Sequence, residues 1–199
     1  MDEQPTMDPG MKSFSLTFLD LLDHWNRRHS LTALPKEARE EELILDSLVL
    51  QPWVMALDPG ARVVDFGTGM GIPALVLAAF RADIRVIAVD KTAKKLAFVR
   101  QASLELGLGN LQVVAGRIEE LPPLQGALGT AKAVGPLAQL LGWWERHGAP
   151  GSRFLALKGP AWQEELPVPG WSFEAHPYRL PTRGQRVVVE AWKAAGISG

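Results

Sequence analysis

The sequence contains no cysteine in its 199 residues. A disulfide framework, a thiolate nucleophile and a cysteine-ligated metal are therefore excluded. The histidines, His24, His29, His147 and His176, are scattered, and none forms a metal-ligand pair at helical spacing, so no metal site is expected. No stretch approaches the ~20 consecutive apolar residues of a membrane span. The opening M-D-E-Q-P-T does not read as a secretory signal, and a cytoplasmic protein without membrane contact is expected. Cationic excess is lacking too: the net charge is −1, which counts mildly against a chain held mainly by phosphate contacts. What remains is a globular mix, 47% hydrophobic and 22% charged, long enough for one domain with a substantial core.

The stretch that organises the chain is Val63 to Gly71, V-V-D-F-G-T-G-M-G. An apolar run ends in an acid, Asp65, and a glycine-rich turn opens into a helical pattern over 72–80. Gly67, Gly69 and Gly71 permit a sharp turn and a close backbone approach to a ligand. About 20 residues on, V-I-A-V-D ends in Asp90, placed to accept hydrogen bonds from a ribose diol. The dinucleotide fingerprint G-x-G-x-x-G is not met; the pattern is G-x-G-x-G followed by Ile72 and Pro73. This tighter spacing, with Asp65 two residues ahead of Gly67, fits S-adenosylmethionine (SAM) better than NAD. SAM has no pyrophosphate to seat on a helix N-terminus, and its amino group suits a nearby acid. The plain alternative is a glycine-rich turn with no ligand.

Along the chain, residues 1–12 read as a flexible tail, and 13–199 as a single domain of N-terminal helices (13–57) and an α/β core (58–199). Phe14, Phe18, Leu21, Leu22 and Trp25 recur at helical spacing after Ser13, a possible N-cap. Asn26 and Thr32 suit a turn fixed by side-chain bonds to backbone. Pro35 opens a second helix, expected over 36–56, and Asp58-Pro-Gly-Ala turns into the first strand. Strands are expected at 84–90, 111–115, weakly at 127–133, and from Gly151 through R-F-L-A-L-K; helices at 94–106 and 136–144. Stretches 171–178 and 186–192 close the chain as an antiparallel pair. Strand and helix alternating, then a hairpin, predicts a doubly wound, mostly parallel sheet with an antiparallel C-terminal edge. The seven tryptophans read mostly as packing.

W-N-R-R-H-S-L-T, L-I-L-D-S-L, V-V-D-F-G-T-G-M-G-I-P, K-K-L-A-F-V, G-R-I-E-E and L-A-L-K-G together resemble the bacterial glucose-inhibited division protein B family, from about Phe14 to the C-terminus. That family consists of guanine-N7 methyltransferases of small-subunit (16S) ribosomal RNA. The resemblance implies a Rossmann-like class I SAM-dependent methyltransferase with an N-terminal helical extension. It implies SAM as cofactor, 16S RNA or the small ribosomal subunit as partner, and a monomer. Gly67 and Ile72 are then cofactor contacts, and Ile118 and Glu119 meet the adenine region. Lys132 stands where the family has an arginine at the active-site edge, a catalytic and cofactor-side candidate. Lys94 and Lys95 match a Lys-Arg pair and Arg186 a basic hairpin residue, both candidates for RNA phosphate.

The chain departs from the family pattern at Leu43, usually His, and at Ala74, usually Gly. It departs again in the fourth-strand stretch A-L-G-T-A-K-A, where Ala127 and Lys132 replace an Asp-containing run ending Ser-Arg-Ala. Lys132 keeps the charge but loses a planar fork. These changes cluster on the substrate side. Guanine N7 carries a free lone pair, so attack on a sulfonium methyl needs no general base, in keeping with the absence of a His, Cys or paired-carboxylate site. Asp46 and Ser47 read as ties from the N-terminal helices to the loop, and Lys158 is placed either near the site or in solvent. A divergent SAM-binding relative, a NAD(P)-dependent oxidoreductase and a non-enzymatic ribosome-binding module stand as rivals. The oxidoreductase is disfavoured by the glycine spacing and the single tyrosine.

Overall fold

A computed structural model describes residues 5–193. The chain opens with helix α1, Pro9–His29. Its N-cap is Asp8, whose carboxylate accepts the Met11 N–H at 2.8 Å, and Pro9 occupies the first helical turn. The helix thus begins ahead of Ser13, because an Asp-Pro pair both caps and pre-sets the first turn. The expected tail therefore shrinks at its C-terminal end; residues 1–4 lie outside the described residues. Phe14, Phe18 and Leu22 form the buried stripe of α1, and Phe18 meets Phe98 edge-on at 5.9 Å. As expected, Asn26 closes the following turn: its amide donates to the Thr32 carbonyl at 3.0 Å and its oxygen accepts the Thr32 N–H at 2.9 Å.

The single helix expected over 36–56 is instead four short pieces: α2 (Lys36–Arg39), a π-helical turn (Glu40–Leu45), α3 (Asp46–Leu48) and α4 (Gln51–Met55). Pro52 explains the last break, since it lacks an N–H and its ring would collide with the carbonyl of Leu48 in a continuous helix.

The core is one seven-stranded sheet in the order β3-β2-β1-β4-β5-β7-β6. Its strands are β1 (Arg62–Phe66), β2 (Arg85–Asp90), β3 (Leu111–Ala115), β4 (Gly126–Lys132), β5 (Gly148–Lys158), β6 (Trp171–Leu180) and β7 (Gly184–Lys193). The first five are parallel; β7 runs antiparallel between β5 and β6. The doubly wound sheet with an antiparallel edge is as the pattern predicts. Connecting helices are α5 (Ala74–Phe80), α6 (Ala93–Glu105) and α7 (Leu137–His147). One face of the sheet packs on α1, α5 and α6 through Val63, Val86, Ala88 and Leu128. The other packs on α7, where Phe66, Phe154 and Trp144 meet with ring centroids 5.5–5.8 Å apart. No helix among the described residues is long and apolar enough to cross a membrane.

Strand β4 reads weakly because Gly and Ala disfavour strands in isolation. The packing supplies the reason for them. A Cβ at Gly129 would lie 2.4 Å from Phe154 and 2.8 Å from Trp144, and one at Gly126 would lie 2.6 Å from Trp144. The small residues make room for the tryptophan. Gly129→Ala should therefore overpack this face and destabilise the protein by about 1–3 kcal/mol in urea denaturation, with no change in the cavities at the strand ends.

Candidate active site

Neighbours of β1 lie on opposite sides in opposite chain directions, β2 on one and β4 on the other, so the chain reverses its winding there. Beyond the carboxyl ends of strands at such a switch point, a crevice forms. Asp65 stands near the end of β1, opposite Ala88 and Thr130, with no exposed surface. Its Oδ1 accepts the Thr130 hydroxyl at 2.9 Å, whereas Oδ2, like the nearby Thr68 hydroxyl, is buried with no hydrogen-bond partner. Burial pushes the Asp65 carboxyl up to about 7, with the Thr130 hydrogen bond opposing the rise. The negative charge of Asp90 adds to the rise.

The loop then turns through three glycines with positive φ. Gly67 (φ +61°) faces Val134, whose methyl would stand 2.8 Å from an added Cβ. Gly71 (φ +90°) faces the other way, onto Leu75 at 2.5 Å. Asp90 fastens the loop, its Oδ2 accepting the Gly69 N–H at 2.9 Å while Oδ1 accepts the Thr92 N–H at 2.8 Å. Each oxygen keeps a further acceptor direction.

Two cavities open at this edge and share Val134. The first, about 310 Å³, is lined on one side by Gly67, Asp90, Ile118 and Glu119. Lys91, Arg117, Gln139 and Trp143 complete it. The second, also about 310 Å³, takes Lys132, Lys158 and Arg186 with Glu42, Asp46 and Tyr178. Among the expected site residues, Gly67, Asp90, Ile118 and Glu119 thus share one cavity, with Asp65 buried beside it. Lys132 and Arg186 share the other. Gly69, Gly71 and Ile72 line neither; Ile72 is 6% exposed within the main core. Lys94 and Lys95 sit in the first turn of α6, outside both cavities, and among the described residues neither has an acidic partner within 4 Å.

Residues that the pattern missed complete the walls. Trp143 lines the first cavity and meets Phe66 edge-on at 6.2 Å. Adjacent tryptophans on one helix point about 100° apart, so Trp143 and Trp144 cannot both fill the core. His147, fully buried at the end of α7, holds the Ile118 carbonyl at 2.8 Å through Nε2. Burial lowers its pKa, so the imidazole is neutral and Nε2–H is the donor. Lys158 belongs to the second cavity, its ammonium 2.9 Å from both Glu165 oxygens. Asp46 ties the helical extension to β4 and β6 rather than to the loop: it pairs with Lys132 and accepts the Tyr178 hydroxyl at 2.6 Å. Ser47 donates only to the Leu43 carbonyl, at 2.6 Å. Tyr178, being engaged and buried, is no proton donor for hydride chemistry.

Among the described residues one trio has metal-ligand spacing, Glu174, His176 and Glu190. It lies on the β6–β7 hairpin, and Glu190 is already held by Arg153 and by His176 at 3.0 Å.

This donor set fits SAM. Asp65 Oδ2 is a buried acceptor without a partner next to the loop, Gly67 brings bare backbone to the cavity wall, and Asp90 can accept from hydroxyls. The acid itself is testable. Its folded pKa of about 7 exceeds the ordinary 3.8, so the folded protein keeps a proton that the unfolded chain releases. The stabilisation is complete below pH about 4 and is lost as pH rises through about 7. Asp65→Asn should flatten that stretch of the free protein's melting-temperature profile, and an unaltered profile would remove the raised acid.

The family model described as "GidB: rRNA small subunit methyltransferase G" matches residues 12–176. The chain is 42% identical over 150 residues to the "Ribosomal RNA small subunit methyltransferase G" of Halorhodospira halophila, covering 75% of this chain and 70% of that one. With the protein of the same name from Methylobacillus flagellatus it is 36% identical over 184 residues, 84% and 87% of the two chains. In fold it is similar to a SAM-dependent methyltransferase from Aquifex aeolicus, with a TM-score of 0.58 at 19% identity over 77% of this chain and 92% of the other. A Rossmann-like sheet of the class I type, a glycine loop at its switch point and this extent of identity lead to one placement: the chain belongs to the GidB family of small-subunit rRNA methyltransferases.

Proposed function

We propose that this chain, as a single-domain monomer in the cytoplasm, methylates N7 of a guanine in 16S ribosomal RNA with SAM as donor. The observation that carries the proposal is the pair of cavities meeting at Val134. One is walled by the loop and the acid of a nucleoside site, the other carries three cationic side chains. In this reading Asp90 accepts from the ribose, Ile118 and Glu119 border the adenine, and Asp65 receives the amino group. SAM supplies a methyl made electrophilic by its sulfonium. The protein's part is to hold guanine N7 in line with that methyl, because N7 needs no deprotonation and alignment itself lowers the barrier. Lys132, held by Asp46 and the Glu42 carbonyl, presents a fixed positive charge at the base's edge. Lys94, Lys95 and Arg186 take phosphates of the flanking RNA. The target guanine must leave its stack to enter a cavity this narrow.

The test is methyl transfer from labelled SAM to small-subunit RNA and to particles lacking their normal methylations, with the product base mapped. One N7-methylguanine is expected. Tight SAM binding without transfer to either substrate would contradict the proposal. Asp90→Ala should weaken SAM binding by about 1–3 kcal/mol through lost hydrogen bonds, and unchanged affinity would refute the ribose role. Lys132→Arg should keep or raise methylation, since the guanidinium retains both the charge and the pairing with Asp46; a collapse would mean that the lysine has its own role here.

A further inference from the structure

Every cation lining the second cavity has an anionic partner, although this cavity must accept RNA in the proposed reaction. Lys132 pairs with Asp46 and donates to the Glu42 carbonyl. Lys158 meets both Glu165 oxygens at 2.9 Å and donates to the Gly135 carbonyl at 2.7 Å. Both ammonium groups are hydrogen-bonded on side chains only 18% and 14% exposed, so displacing either partner would strand a largely desolvated charge. The third arrangement is different. Glu42 Oε1 lies 3.3 Å from Arg183 Nε and 3.6 Å from Arg186, a charge contact without hydrogen-bond geometry. Here the guanidinium groups face outward, with side chains 37% and 30% exposed, whereas Glu42 is 16% exposed behind them.

The neighbouring acid shows that Glu42 is not what holds this wall together. Glu41 accepts the Thr182 N–H at 2.7 Å, the Thr182 hydroxyl at 2.6 Å and the Arg183 N–H at 3.0 Å. That carboxylate docks the β6–β7 turn onto the helical extension. The π-helical turn widens the helix and sets two successive acids against the same hairpin. π turns of this kind recur at functional positions. Glu41 anchors the backbone, and Glu42 is left to face two arginines whose donors it does not satisfy.

We propose that Arg183 and Arg186 form a subsite for a backbone phosphate of the RNA substrate, and that the Glu42 carboxylate is its internal competitor. The proposal rests on the rRNA reading above. A phosphate offers the planar forks well-aligned acceptors that Glu42 Oε1 does not, so it exchanges a loose contact for charge-assisted hydrogen bonds. The acid keeps the arginines apart from other anions and screens the cavity until a correctly placed phosphate arrives.

The experiment compares binding of the small-subunit RNA, across a salt series, by wild type, Glu42→Gln, the pair Arg183→Gln with Arg186→Gln, and all three together. Glu42→Gln should tighten RNA binding about 2- to 5-fold, the range of a half-exposed ion contact. The arginine pair should weaken binding and reduce the salt slope by about 0.7 per phosphate lost. With both arginines gone, Glu42→Gln should bring no gain. SAM affinity should stay unchanged throughout. Equal gain with and without the arginines, no gain at all, or tighter SAM binding in place of tighter RNA binding overturns the subsite. Should Glu42→Gln lower the melting temperature, the salt slope of the arginine pair decides alone, and an unchanged slope overturns it. Failure of the rRNA reading looks different: wild type then neither binds nor methylates the RNA. Methylation by wild type with no effect of Glu42→Gln removes the subsite and leaves that reading standing.

Discussion

The Asp46 carboxylate, with its side chain 3% exposed, has to be neutralised where it sits, because an unpaired charge at that depth is costly. Lys132 from the end of β4 and the Tyr178 hydroxyl from β6 do so. Burial, and then the negative charge of Asp46, push the tyrosine pKa far up, so the hydroxyl stays a donor at every relevant pH. Three distant parts of the chain therefore meet at one oxygen pair. The helical extension becomes the outer wall of the second cavity, and Lys132 is fixed at its floor. The first cavity depends on this indirectly, since Val134, two residues past Lys132, is the wall that the two share.

On the cofactor side the same logic runs through backbone groups. Asp90 fastens the glycine loop by accepting the Gly69 and Thr92 N–H groups. His147 fastens the opposite wall by holding the Ile118 carbonyl. The cavity is thus framed by hydrogen bonds from β2 and α7, and Asp65 lies beside it with one oxygen unpartnered.

Much of this was legible in the sequence because its signals are local. The run into Asp65, the glycine turn, and Asp90 at the end of the next strand each show within a few residues, and the alternation of strands and helices then dictates the sheet. What escaped depends on packing across the fold. Strand β4 carries Gly126 and Gly129 because Trp144 and Phe154 occupy the space against it, a constraint invisible at β4 itself. The π-helical turn and the break at Pro52 replaced a helix that periodicity alone would continue. Trp143 reads as core until the adjacent Trp144 is seen to fill that role. The partner of Asp46 lies 86 residues away at Lys132, and no spacing rule reaches that far. Gly71 and Ile72 belong to the motif yet support the loop from behind, so motif membership did not translate into cavity lining.

The near-neutral charge of the chain also takes on meaning. Among the described residues each of the three cations lining the second cavity lies within 4 Å of an acid, and in the proposed reading only the loose Glu42 contact gives way to RNA. The account stands or falls on how the two cavities are used. The most direct measurement is a crystal structure with S-adenosylhomocysteine bound. The account predicts its ribose at Asp90, its adenine beside Ile118 and Glu119, its amino group toward Asp65, and its sulfur at Val134 facing Lys132. A ligand seated elsewhere, for example in the cavity between Trp53 and His176 on the hairpin side, would contradict it.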